Sequence, residues 1–308
     1  MTDLSPAIRV ANAPVTFGVF ELAAAGPPFI DGDDLMGQLA AAGYEGVDLG
    51  PPGYLGGVSE IGARLLAHGL GLAGGWVALR FTDPAGFSQD LGALESALDV
   101  FLAGTRDGYP APRPTLADAG SALRQANPGR GADLPEIRVA DADWPGFAGR
   151  VQTAVDRVRA RGLEPTFHHH ACTYVEAPVE IERLLDLTDV GLCLDTGHLL
   201  LGGGDPLDAW HRWRSRINHL HLKDCHLDVL RDCIREGAPM REVWSRGVFC
   251  ALGEGDLDLD GLLAAITGSA YHGWLVVEQD LIPGASTRPG DLVAEQTRNR
   301  EVLRRHGI

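Results

Sequence analysis

The sequence predicts an α/β fold, a single-domain (β/α)8 TIM barrel, and three observations lead there. Short runs rich in Val, Ile and Leu alternate with longer Ala-, Leu- and Arg-rich stretches of helical period. Eight such runs occur, the number that closes a parallel barrel. The 308 residues suit a fold that commonly occupies about 250 residues or more as one unit, so residues 1–308 are read as one domain.

In order along the chain, the first strand is IRVANAPV from Ile8. A helix over LMGQLAAAG follows, opened by Asp33 and Asp34, whose charge suits a helix N-terminus, and stopped at Gly43. GYEGVDLG from Gly43, LAGGWVAL from Leu72 and RPTLADAG from Arg113 are the next three strands. QTAVDRVRARG reads as a helix stopped at Gly162, ahead of the fifth strand, EPTFHHHA from Glu164. Pro178 opens the helix VEIERLLDL with its fixed φ and leads to VGLCLDTG from Val190; Pro206 does the same for LDAWHRW before INHLHLKD from Ile217. The eighth strand is GWLVVEQD from Gly273. The long connection before it, residues 224–272, predicts a helix over Val229–Trp244 and then GVFCALGEGDLDLDG, an insertion suited to be a lid or substrate loop.

Composition narrows the function. With 45% hydrophobic and 22% charged residues the chain can bury a large core. Acidic residues outnumber basic ones by 42 to 26, and a net charge of −16 repels a phosphate backbone, which speaks against nucleic acid. MTDLSPAIRVANAPV has no basic region followed by a long apolar run, so neither signal peptide, membrane span nor membrane partner is expected, and the cytoplasm is. Five cysteines without a CxxC pair read as reduced, buried thiols.

Polar residues gather at the strand ends, where such barrels keep their chemistry. The two-residue period decides which can meet. His219, His221 and Lys223 share one face of strand seven, with Leu220 and Leu222 opposite. Thr166, His168 and His170 share a face of strand five, and His169 falls on the Phe167 side unless the strand ends first. Cys193 aligns with Asp195, and Val276 with Glu278 and Asp280. Four adjacent strands thus aim His168 or His170, Asp195, His221 and Glu278 at one point. Burying them without a shared partner is costly. Mixed imidazole and carboxylate donors suit Mn²⁺, Co²⁺, Fe²⁺ or Zn²⁺ better than Mg²⁺ or Ca²⁺.

FHHHACTYVE, VGLCLDTGHLLLGGGDP, INHLHLKD, GVFCALGEGDLDLDG and GWLVVEQD, with NAPVTFGVFE and DLGPPGYLG nearer the start, resemble the xylose-isomerase-like barrels of the sugar-phosphate isomerase/epimerase superfamily, and within it the inosose dehydratases. The resemblance implies Asp195, His221 and Glu278 as ligands of one divalent ion, Mn²⁺ or Co²⁺ first, with Zn²⁺ or Fe²⁺ next. Where the superfamily usually has a glutamate on strand five this chain has His168, so the fourth ligand is His168, favoured by its facing, or Glu176 reaching in from the following loop. The implied activity is a lyase reaction, dehydration of 2-keto-myo-inositol or a related polyhydroxylated ketone through a metal-stabilised enediolate. His170 or His198 is expected to remove the proton, and Lys223, at the site mouth, to assist the leaving hydroxyl. Tyr54, Trp76, Arg80, Asp118 and Glu176 are candidates for binding substrate. A sugar epimerase or isomerase with the same metal site is the alternative, and a non-catalytic sugar-binding subunit a further one. A keto-sugar or polyol is the expected partner, and a homo-oligomer is left open.

Overall fold

All eight predicted runs form parallel strands in the computed structural model, which describes residues 8–20 and 28–308. They are β1 (Ile8–Asn12), β2 (Gly46–Val47), β3 (Gly71–Leu72, resuming after Ala73 as Gly74–Leu79), β4 (Arg113–Asp118), β5 (Thr166–His168), β6 (Gly191–Asp195), β7 (Ile217–Leu222) and β8 (Gly273–Val277). β3 changes neighbour midway, pairing Gly71 with Gly46 of β2 and Gly74 with Arg113 of β4. Since β1 pairs with both β2 and β8, the staves join into a ring through Ala73. Residues 1–7 of the N-terminal segment and Glu21 of the NAPVTFGVFE motif lie outside the described residues.

Outward-facing Val10, Val47, Val77, Leu79, Leu116, Phe167, Leu192, Leu194, Leu220, Leu222, Leu275 and Val277 belong to the main apolar core beneath the helices. Inward-facing Ala11, Ala13, Ala73, Trp274 and Val276 form a small separate core inside the barrel. Its space is made by glycine: a Cβ on Gly46 or Gly71 would lie 2.5 or 2.8 Å from the Trp274 ring. The Trp274 indole donates to the Pro110 carbonyl at 3.1 Å, so the barrel floor is filled and the polar chemistry is left to the other end.

Helix ends follow their local chemistry with small shifts. The helix Gly32–Ala42 is capped by Asp31, which accepts from the Asp33 amide, so Asp33 and Asp34 lie in the first turn; Gly43 ends it at φ 88°. Pro178 and Pro206 both open helices. The predicted helix over Val229–Trp244 is in fact two, Leu227–Glu236 and Met240–Ser245. Gly237, left-handed at φ 69°, ends the first, and Pro239 cannot continue it. A short antiparallel ribbon, Asp224–Cys225 with Phe249–Cys250, closes the insertion's base.

Candidate metal centre and substrate pocket

A bulge decides the central register. Leu192 of β6 pairs with Ile217, but Cys193 pairs with His219, so β7 carries one extra residue at that point. Without it, Asp195 would lie beside outward-facing Leu220; with it, Asp195 lies beside His221. His221 in turn pairs with Val276, and the Glu278 amide donates to Leu222, so the next strand end delivers its carboxylate at the same level.

His168, Asp195, His221 and Glu278 each offer one ligand atom, all within 4.8 Å of one another, and all four residues are buried. The His168 Nε2 is 3.3 Å from Asp195 Oδ2. His221 Nδ1 stands 3.0 Å from Glu278 Oε2 and 3.8 Å from Asp195 Oδ2, yet neither ring nitrogen of His221 has a hydrogen-bond partner. His168 Nδ1 is also unpartnered. Converging buried groups that leave three imidazole nitrogens without a hydrogen bond fit a shared cation, and the two-imidazole, two-carboxylate set fits a mixed N/O divalent ion.

Lys223 lies beside this group, and at 1% exposure it sits inside the cluster and not at its mouth as the sequence suggested. Its Nζ is 2.7 Å from Asp280 Oδ1, 3.1 Å from Glu278 Oε2, 3.3 Å from Asp195 Oδ2 and 3.0 Å from His198 Nε2, four acceptors for three hydrogens. Burial works against its charge, but Asp195, Asp280 and Glu278 outweigh it and lift the ammonium well above the ordinary lysine range. Burial likewise opposes ionisation of Asp195 and Glu278; Lys223 and His198 hold the first well below the usual carboxylate range, and His221 and Lys223 bring the second to about 2. The lysine stem needs Gly197: a Cβ there would lie 2.8 Å from Lys223 Cγ. Thr196 Oγ1 exchanges hydrogen bonds of 2.8 and 2.6 Å with the Lys223 backbone, fixing the DTGH turn to β7.

β5 ends at His168, so His169 leaves the strand alternation; it is fully buried, and its Nε2 accepts from the Asp195 amide at 3.2 Å. His170 is half-buried and faces the pocket, with Nδ1 2.7 Å from the Ala171 carbonyl and its ring centroid 3.6 Å from that of His198. His198 is fully buried, and its amide donates to Asp195 Oδ1 at 2.8 Å. Together His170, His198 and Asp280 form a second close group of side-chain donors.

Above the quartet opens a cavity of about 390 Å³, with Trp76, Pro14, Pro51 and Met240 on its apolar wall and Asp118, His170 and Lys223 among its polar groups. The Trp76 ring stands edge-on to His168 and His170, at 5.3 and 5.0 Å. Asp118 accepts from the Gly120 and Tyr174 amides at 2.8 and 3.2 Å, and burial raises it to about 6.

Three sequence candidates lie elsewhere. Arg80 pairs with Asp90 on the surface at 2.6 Å, and the Tyr54 hydroxyl donates to the Ile30 carbonyl at 2.9 Å; neither lines the cavity. Glu176 does not reach the quartet. Its carboxylate accepts from Arg124 and from the Gly129, Gly131 and Cys172 amides, with Arg124 also holding Glu180, and the three charged side chains are fully or almost fully buried. Glu176 thus staples the pocket wall that includes Cys172, held at φ 68°. Sequence reasoning missed Asp48, Asp280 and Trp244 as site residues. Asp48 lies 3.7 Å from His221 Nε2, and Trp244 Nε1 donates to Asp280 Oδ2 at 3.1 Å. The inward positions of Asp48 and Asp280 were readable from alternation; the return of Trp244 from the insertion was not.

Residues 117–302, which carry β5 to β8 and all four converging donors, match the xylose isomerase-like TIM barrel family. The chain belongs to that family. Within reach of it lie the inosose dehydratase of Geobacillus kaustophilus, 28% identical over 90% of this chain and 89% of that protein, and the rhizopine catabolism protein MocC of Rhizobium meliloti, 30% identical over 90% and 82%. Among solved structures, the IolI protein with a bound zinc atom superposes with a TM-score of 0.65 at 13% identity, covering 97% of this chain and 96% of that one, a likeness of fold. No helix among the described residues is long and apolar enough to cross a membrane.

Proposed function

We propose that this protein is a metal-dependent lyase that removes water from 2-keto-myo-inositol or a related inosose. The observation that carries this reading is the buried quartet His168, Asp195, His221 and Glu278 under a cavity walled by Trp76 and edged by His170 and Lys223. Similarity over nearly the whole chain to an inosose dehydratase supports the substrate class. Mn²⁺ and Co²⁺ are the preferred ions, with Zn²⁺ and Fe²⁺ in range of the same donors; the zinc of the IolI protein supports a metal in this fold. An ion bound there would act as a Lewis acid toward a ketone oxygen and so acidify the neighbouring C–H. The five free, buried cysteines fit a reducing compartment such as the cytoplasm.

The chain's own groups divide the proton work. His170 donates Nδ1–H to the Ala171 carbonyl, which leaves the Nε2 lone pair to take a proton. Half-buried and lining the cavity, it is better placed for this than fully buried His198. Lys223 points an N–H toward the departing hydroxyl, releasing one of its four acceptors as substrate enters. In the balanced step the C–H bond beside the ketone breaks with its proton going to His170. Its electron pair becomes the new C=C bond as the C–O bond of the next carbon breaks, and the hydroxyl leaves as water with a proton from Lys223. The apolar Trp76 wall suits the C–H face of a ring, and Asp118 a hydroxyl.

The test is product identity. Incubated with 2-keto-myo-inositol and Mn²⁺ or Co²⁺, the protein is expected to give a product lighter by one water and absorbing in the ultraviolet as a conjugated dione. A product of unchanged mass would replace this reading with epimerisation or isomerisation.

A further inference from the structure

The insertion between β7 and β8 has an apolar core of its own. Leu230, Cys233, Met240, Val243, Trp244 and Phe249 pack together with Ala171 and Cys172 of the loop after β5, apart from the main core. This unit meets the barrel through Ala171, Cys172 and Leu201 and through ring and hydrogen-bond contacts. Two of them converge on Lys223. The Phe249 ring lies under the ammonium, 5.0 Å from Nζ to the centroid. The second runs through Asp280, whose Oδ1 accepts from Lys223 Nζ at 2.7 Å while its Oδ2 accepts from the Trp244 indole at 3.1 Å and stands 3.5 Å from His198 Nε2. The Trp244 and His198 rings lie 6.1 Å apart at an interplanar angle of 26°.

From this geometry we infer that Asp280 is a positioning residue that couples docking of the insertion to the alignment of Lys223. The two oxygens of one carboxylate move as a rigid pair, so a shift of Trp244 turns the oxygen that Lys223 uses. Phe249 moves with the same unit and carries the other contact. An insertion lifted from the pocket therefore leaves Lys223 misaligned, and proton delivery to the leaving hydroxyl waits for closure. A buried indole N–H needs an acceptor in any protein, and that alone would be structural. What distinguishes Asp280 is that its other oxygen is committed to the group proposed as the acid. The inference rests on the role proposed for Lys223.

Trp244→Phe keeps an aromatic ring in the wall while removing the N–H, along with part of the ring volume that Trp244 contributes to this cluster. On the inferred coupling, kcat for 2-keto-myo-inositol falls on the order of 10- to 100-fold while KM stays within about threefold. Asp280→Asn gives the same kcat-selective loss, and the double variant is little worse than Asp280→Asn alone. Unchanged kcat in Trp244→Phe would overturn the coupling. A second readout is independent of the reaction. Coupling is reciprocal, so Lys223→Met, made at the far end of the link, should speed backbone hydrogen exchange across residues 227–250. Exchange equal to wild type there would overturn the inference even in a protein that dehydrates inosose. Faster exchange in a protein without inosose turnover would uphold the coupling and reject the substrate instead.

Discussion

Asp118 offers a stability prediction whose size follows from its surroundings. It ends β4 at 1% exposure, and Oδ1 alone accepts both the Gly120 and Tyr174 amides. Burial raises its pKa from 3.8 to about 6, those amides and Arg124 only partly opposing. An unfolded chain ionises this carboxyl from about pH 4, whereas the folded one keeps its proton to about pH 6. Between these values the folded state binds more protons, so stability falls as pH rises through the window, and the whole cost is present above it. At about 1.4 kcal/mol per pH unit the cost reaches about 3 kcal/mol. Asp118→Asn preserves the Oδ1 acceptor and cannot ionise. It should match wild type at pH 4 and gain up to about 3 kcal/mol by pH 7.5, which for a chain of this length is a rise in Tm of about 4 °C. Urea unfolding of both proteins across that range measures the difference directly and cancels effects common to both. A difference that does not change with pH would refute the reasoning. The same variant should bind substrate more weakly, since the ionised carboxyl is the better acceptor for a sugar hydroxyl.

Glu176→Gln breaks a buried ion pair with Arg124 and should cost about 3–5 kcal/mol in urea unfolding while leaving metal stoichiometry intact; loss of the metal would make it a ligand. Gly197→Ala puts a methyl group against the Lys223 stem, so turnover should drop at least about tenfold alongside an overpacking cost of about 1–3 kcal/mol, and near-normal turnover would remove the close approach from the account. His168→Ala should weaken metal binding more than about tenfold by competition with a chelator, and unchanged affinity would return the fourth ligand to question.

The alternation of apolar and polar residues made the barrel legible, because each inward position follows from its neighbours two residues away. The same period brings His168, Asp195, His221 and Glu278 to one level, although the bulge at β7 that completes the register leaves no local mark in INHLHLKD. Long-range pairings were not legible. Glu176 reads as a site residue until Arg124, from the one-turn helix Ala122–Gln125 after β4, takes both its charge and its direction. Lys223 sits at the strand end where a site mouth is expected, yet Asp280 and the insertion's Phe249 enclose it. The insertion helix reads as continuous because its apolar period crosses Gly237 and Pro239, and the backbone conformation of those two residues overrides the period.

The central claim is that catalysis needs one ion held by the quartet. Protein stripped with chelator should be inactive on 2-keto-myo-inositol, and titration with Mn²⁺, Co²⁺ or Zn²⁺ should restore turnover in proportion to metal bound, saturating at one ion per chain. Full turnover by protein shown to be metal-free would contradict it.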